Sequence, residues 1–170
     1  MPALLTAGLV AFVLLLTAAR ADTAALNRFK QGMTAYNLGE FGEAARIWGG
    51  LAKQGSGKAQ SGLGVLYYTG RGVPRDFHRA HNLFLAAAKQ SVPEALRFLS
   101  LMYRRGDGVP QSYLVSYMWC DIAVGFGHEG ATYIRQTIAE HLTGDAILKA
   151  QDMSSEWRNH TFNLIDREGK

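Results

Sequence analysis

The sequence predicts an all-α fold, a short α-solenoid of antiparallel helix-turn-helix repeats closed by a C-terminal pair of capping helices. Three observations carry this. Residues 58–93 resemble residues 94–129 at a period of 36, apolar residues recur at helical spacing, and glycine and proline recur at the turns. With the two stretches superposed, Ala59 meets Ala95, Leu63 meets Leu99 and Tyr67 meets Tyr103. Gly70, Gly72, Val73 and Pro74 meet Gly106, Gly108, Val109 and Pro110, and Ala87 meets Ala123. These eight identities in 36 pairs exceed the about two expected of ordinary composition. They fall on the small, aromatic and turn residues that shape a helical hairpin.

In chain order, residues 1–21 read as an export signal. Residues 3–19 carry no charge and are rich in Leu, Ala and Val. Ala19-Arg20-Ala21 fits the small-x-small cleavage pattern, which makes Asp22 the first residue of a periplasmic or secreted mature chain. The alternative is an inner-membrane anchor over residues 3–19, because Met1-Pro2 supplies no Lys or Arg and the stretch approaches bilayer-spanning length. Residues 22–57 form a partial repeat. Phe29, Gly32, Met33 and Tyr36 mark one helix face, Asn37-Leu38-Gly39-Glu40 a turn, and Ala44, Ile47, Trp48, Leu51 and Ala52 a second helix ended by Gly55 and Gly57.

The repeat at 58–93 follows. Ala59, Leu63 and Tyr67, at i, i+4 and i+8, form one stripe of its first helix. Gly70 suits a left-handed C-cap, and Gly72-Val73-Pro74 makes a tight loop. Asp76 is a natural N-cap for a second helix whose inward face runs Ala80, Leu83, Phe84, Ala87. The repeat at 94–129 uses the same logic, with Ser112 as N-cap and Ser116, Trp119 and Ala123 inside. In residues 130–170 the pattern changes to a capping pair, one helix over 128–141 and another over about 144–160, with Thr143 as N-cap between them. Ile147, Ala150, Met153 and Trp157 keep helical spacing in the last.

Composition narrows the function. With 48% hydrophobic and 19% charged residues the chain has a core to bury and is not disordered. Without Arg20 the balance is 17 basic against 14 acidic residues, an excess of three that is too small to argue for nucleic acid, and no run of Lys and Arg interleaves with aromatics, so no nucleic-acid partner is expected. Cys120 is the single cysteine, so no internal disulfide forms, and the apolar run Tyr117-Met118-Trp119-Cys120 suggests a buried, inert thiol. His78 and His81 stand at i, i+3 without a third ligand and read as a solvated face, so no metal is expected. Gly70-Arg71-Gly72 and Gly106-Asp107-Gly108 lack the strand and the Lys-Ser or Lys-Thr of a phosphate loop. No catalytic residue and no cofactor site are expected.

The string Ala59, Leu63, Gly64, Tyr67, Gly70, Gly72, Val73, Asp76, Ala80, Ala87, Ala88 resembles the Sel-one-like repeat, a relative of the tetratricopeptide repeat. A second copy matches at Ala95, Leu99, Tyr103, Gly106, Gly108, Val109, Trp119, Ala123 and Gly127. Leu83 stands where the family has Trp, and Ser100 and Ser112 replace the counterparts of Gly64 and Asp76. Leu142-Thr143-Gly144, Ala150-Gln151 and Glu156-Trp157 resemble the end of exported bacterial members. A single Cys places the chain outside the cysteine-rich branch, so that branch's penicillin-related activity is not implied. The resemblance implies a non-catalytic adaptor that binds a protein or peptide in the cell envelope on a curved surface lined by first helices. Gln60, Ser61, Val65 and Tyr68, with Leu96, Arg97, Leu101 and Arg104 one period later, turn away from the core stripe and are the candidate binding residues. A cell-wall enzyme or enzyme subunit, or a glycan-binding module using Tyr68, Arg97 and Arg104, are the alternatives.

Overall fold

A computed structural model describes residue 20 and residues 23–168. The leader expected over 1–21 lies outside these residues except for Arg20. Helix α1 covers 23–37. It is followed by α2 (Phe41–Lys53), α3 (Gly57–Thr69), α4 (Phe77–Ala88), α5 (Pro93–Arg105), α6 (Tyr113–Gly125), α7 (Glu129–Ala139) and α8 (Gly144–Glu168). No strand occurs among the described residues. Helices α2 to α6 each pack on the next in chain order, and α6 then packs on both α7 and α8. Phe29, Ala35 and Tyr36 of α1 join Trp48, Leu51, Ala59 and Leu66 in an N-terminal apolar cluster. A larger cluster runs from Ala80 to Ala150. This is a solenoid of hairpins, with α1, α3, α5 and α7 as first helices.

The caps read from sequence are present. Asp76 Oδ1 accepts the Arg79 N–H at 2.9 Å, Ser112 Oγ that of Val115 at 3.2 Å, and Thr143 Oγ1 that of Ala146 at 3.3 Å. Gly70 and Gly106 end α3 and α5 in the left-handed conformation. Their neighbours two residues on have a further task. Gly72, at φ 71°, lies against the start of α2, and Gly108, at φ 72°, lies against Phe77 at the start of α4. Each repeat's loop therefore rests on the second helix of the repeat before it.

Hairpin packing depends on matched large and small residues. A Cβ on Gly64 would come within 2.7 Å of the Phe84 ring, so the ring occupies the space that glycine leaves. One period later Ser100 and Cys120 fill the same pair of positions, with Oγ and Sγ 3.0 Å apart. The Phe84 ring also stacks on Phe98 at 4.8 Å. In the first unit Trp48 is the large member, seated against Gly32 and Gly62.

The expected stripe Ala59, Leu63, Tyr67 is only partly inward. Ala59 is buried, whereas Leu63 and Tyr67 are half-buried, and Ser61, Gly64 and Leu66 complete the buried face. A first helix inside the stack touches its own second helix and both neighbouring units, so it buries more than one stripe. The C-terminal pair caps α6 as expected, with Trp157 against Trp119 at 5.4 Å. The polar tie was not foreseen. Asp121, buried on α6, accepts from Ser154 Oγ of α8 at 2.5 Å and pairs with Arg135 of α7 at 2.5 Å. A buried carboxylate needs such partners, and here they join all three helices. Helix α8 extends past the expected end near 160 to Glu168.

Candidate functional site

The second helices begin with an aromatic at a spacing of 36, Phe41, Phe77 and Tyr113. The first helix of the first unit is offset by only 32, because the turn 38–40 is four residues shorter than the loop 70–76. Contacts confirm this register. Tyr36 meets Phe41 as Tyr68 meets Phe77, at 5.2 and 5.3 Å. Gly32 lies under Trp48 as Gly64 lies under Phe84. Three rows therefore run across the first-helix face: Phe29, Ser61, Arg97; Met33, Val65, Leu101; and Tyr36, Tyr68, Arg104.

At the N-terminal end these rows enclose an apolar groove of about 340 Å³ between α1 and α3. Phe29, Met33, Tyr36, Val65 and Val92 line it, Trp48 is its floor, and Lys58 and Glu94 are at its rim. Phe29 and Tyr36 are held by the Trp48 indole, with ring centroids 5.9 and 5.7 Å away. Met33, on the same helix face as Phe29 and Tyr36, is 40% exposed and opens to the groove. At the other end, Arg97, Ser100, Leu101, Arg104 and Ile134 line a pocket of about 70 Å³ between α5 and α7. A larger hollow of about 700 Å³ lies on the second-helix side between α2 and α4. Small residues of α2, among them Gly42, Ala45, Gly49 and Gly50, line one side of it, and Leu63, Tyr67 and Leu83 line the other, with Arg46 and Lys53 beside them.

The binding residues proposed from sequence divide accordingly. Ser61 and Val65 line the groove, and Arg97, Leu101 and Arg104 line the pocket. Three others serve packing instead. Leu96 is fully buried in the core. Gln60 hydrogen-bonds Gln90 at 3.1 Å, and Gln90 in turn accepts from the Gly57 N–H and donates to the Gly55 carbonyl. Tyr68 is half-buried between Phe77 and Phe98, and its hydroxyl donates to Asp107 at 2.6 Å. Burial, followed by that carboxylate, raises the Tyr68 phenol above its ordinary pKa. Tyr68 locks one repeat to the next and does not reach outward. Ser61, at 4% exposure, contributes only an edge to the groove wall. Sequence reading missed Phe29, Met33, Tyr36, Lys58, Val92 and Glu94 as site residues. The 36-residue spacing of Phe41, Phe77 and Tyr113 was the signal that reveals the rows.

Other chemistry-bearing groups are engaged structurally. Cys120 is 2% exposed, and burial pushes its thiol up, opposed by the Ser100 hydrogen bond and then by Arg104 and Arg135. Of the two histidines read as a solvated face, His78 is exposed and His81 is only partly so. His81 Nε2 lies 3.3 Å from the Tyr103 hydroxyl, and burial, then His78, push its imidazole down. Among the described residues no three His, Cys, Asp or Glu side chains gather as metal ligands.

The fold and this face define a helical-repeat protein, a solenoid of stacked hairpins. The Sel1 repeat matches the chain at residues 57–92 and again at 93–124, so the chain carries two Sel1 repeats. Sel1 repeats are typically protein-interaction scaffolds, and their helical fold is typically non-catalytic. The chain is similar to the crystal structure of c5321, a protective antigen present in uropathogenic Escherichia coli strains displaying an SLR fold. That similarity has a TM-score of 0.76 at 23% identity over 84% of this chain and 32% of that one. It is also similar to a Sel1 repeat protein from Oxalobacter formigenes, with a TM-score of 0.63 at 22% identity over 78% of this chain and 58% of that one. The chain thus spans about a third of the first structure and less than two thirds of the second, and at this identity the likeness shows the fold alone. No curated protein matches the chain in sequence.

Proposed function

We propose that this protein is a non-catalytic scaffold that holds a partner protein by a short segment laid across its first helices. The apolar groove lined by Phe29, Met33, Tyr36, Val65 and Val92 carries the reading. Aromatic and aliphatic side chains converge there on a rigid indole floor, which is how anchor pockets for partner side chains are built. Cys120, buried at 2% exposure, is a core thiol in this reading and not a nucleophile. A photocrosslinking residue at Lys58, on the exposed rim, should trap a defined partner in the native cell. Met33→Glu, which sets a charge in the groove, should lower that adduct at least tenfold while the melting temperature stays near the wild-type value. An undiminished adduct in Met33→Glu would move the binding face elsewhere.

The proposal includes export to the cell envelope. It is supported by the uncharged stretch 3–19 and the Ala19-Arg20-Ala21 site. Among the described residues no helix is long and apolar enough to cross a membrane. N-terminal sequencing of the periplasmic or secreted protein should read from Asp22. A membrane-bound form that retains Met1 would establish the anchor instead.

A further inference from the structure

We propose that the segment bound on the first-helix face is acidic as well as apolar, and that an Asp or Glu side chain of it enters the α5–α7 pocket to meet Arg104 and Arg97. This rests on the scaffold reading above and names the partner's chemistry. At equivalent positions the face changes character along the stack. Phe29 gives way to Arg97, and Tyr36 gives way to Arg104. Arg104 has no ion pair among the described residues. Arg97 makes a two-pronged pair with Glu94, at 2.5 and 3.3 Å, and its guanidinium lies 4.5 Å from the Phe98 ring centroid, so Arg104 is the cation that meets the carboxylate first and Arg97 adds positive charge beside it. Across the face Lys58, Arg97 and Arg104 stand against Glu94, a local excess of positive charge. Leu101 and Ile134 wall the pocket beside the arginines, a fit for the methylene stem of an acidic side chain. The space of about 70 Å³ is enough to seat a carboxylate. An arginine held against apolar walls binds carboxylate more strongly than one in open water, because the charge-assisted hydrogen bond is less screened.

The test is selection from a random peptide library displayed with each peptide's C-terminus fused to the phage coat, so that only side chains supply carboxylates. Wild type, Arg104→Glu and Met33→Glu are selected in parallel, each shown to be folded by circular dichroism. The wild-type pool should be enriched in both Asp or Glu and large apolar residues. The Arg104→Glu pool should lose the acidic enrichment and keep the apolar one, and Met33→Glu should do the reverse. Synthetic peptides from the wild-type pool should bind Arg104→Glu at least about tenfold more weakly, with an affinity that falls as salt rises. Apolar enrichment with no acidic enrichment in wild type would overturn the inference and leave the scaffold reading standing. No enrichment of either kind in wild type would overturn both. Acidic enrichment that survives Arg104→Glu would place the carboxylate elsewhere, and binding only from a library with free C-termini would overturn the side-chain assignment.

Discussion

Gly72→Ala is expected to destabilise the protein by about 3 kcal/mol, whereas Gly106→Ala is expected to cost only about 1 kcal/mol. Both residues have positive φ, 71° and 77°, so each alanine carries the left-handed backbone strain of roughly 1–2 kcal/mol. Gly72 adds a collision. Its Cβ would fall within 2.5 Å of the Gly42 nitrogen and the Phe41 carbonyl oxygen, which are main-chain atoms of α2 and do not swing aside. At Gly106 the nearest atom is the Gln111 Cβ at 3.4 Å, an ordinary contact. In a chain of this size the difference of about 2 kcal/mol separates the melting temperatures by roughly 4–8 °C. Thermal unfolding followed by helix circular dichroism measures it. Equal melting temperatures would mean that the α3–α4 loop can lift from α2 without loss, and that repeat stacking does not depend on this approach.

Trp48→Ala is expected to cost about 3–5 kcal/mol, the range for removing a large buried aromatic. The indole is 2% exposed and is the centre of the N-terminal cluster, in contact with Phe29, Tyr36, Gly32 and Gly62. The glycines offer no side chain to refill the space, so the cavity persists. A solenoid is stabilised by its own units and their immediate neighbours, so the loss is local. Amides in α1 and α2 should exchange with solvent much faster, while α5 and α6 keep their protection. The groove loses its floor in the same variant, so binding there should fail even at temperatures where the C-terminal repeats remain folded. Uniform loss of protection along the chain would show that the units fold as one block.

The helical hairpins, their turns and their caps were legible in the sequence because each rests on local signals. Asp76, Ser112 and Thr143 cap the helices that follow them through hydrogen bonds three residues long. Gly70 and Gly106 end helices by a backbone conformation that is a property of one residue. The period of 36 then follows from two copies of the same local grammar.

Only the tertiary structure decided which surface is free. Gln60, Ser61, Tyr68 and Leu96 were assigned outward on the assumption of a single buried stripe, yet α3 and α5, inside the stack, have neighbours on several sides. Tyr68 is held by Phe77, Phe98 and Asp107, partners nine, 30 and 39 residues away, and no local pattern contains them. The exchange of Gly64 and Phe84 for Ser100 and Cys120 is likewise invisible until the two helices face each other. The shorter turn of the first unit shifted its first helix by four residues and concealed that Phe29, Met33 and Tyr36 continue the rows of Val65, Arg97 and Arg104. Local backbone preference and side-chain capping thus determined the elements. Close packing between distant segments determined which of their faces remain to bind.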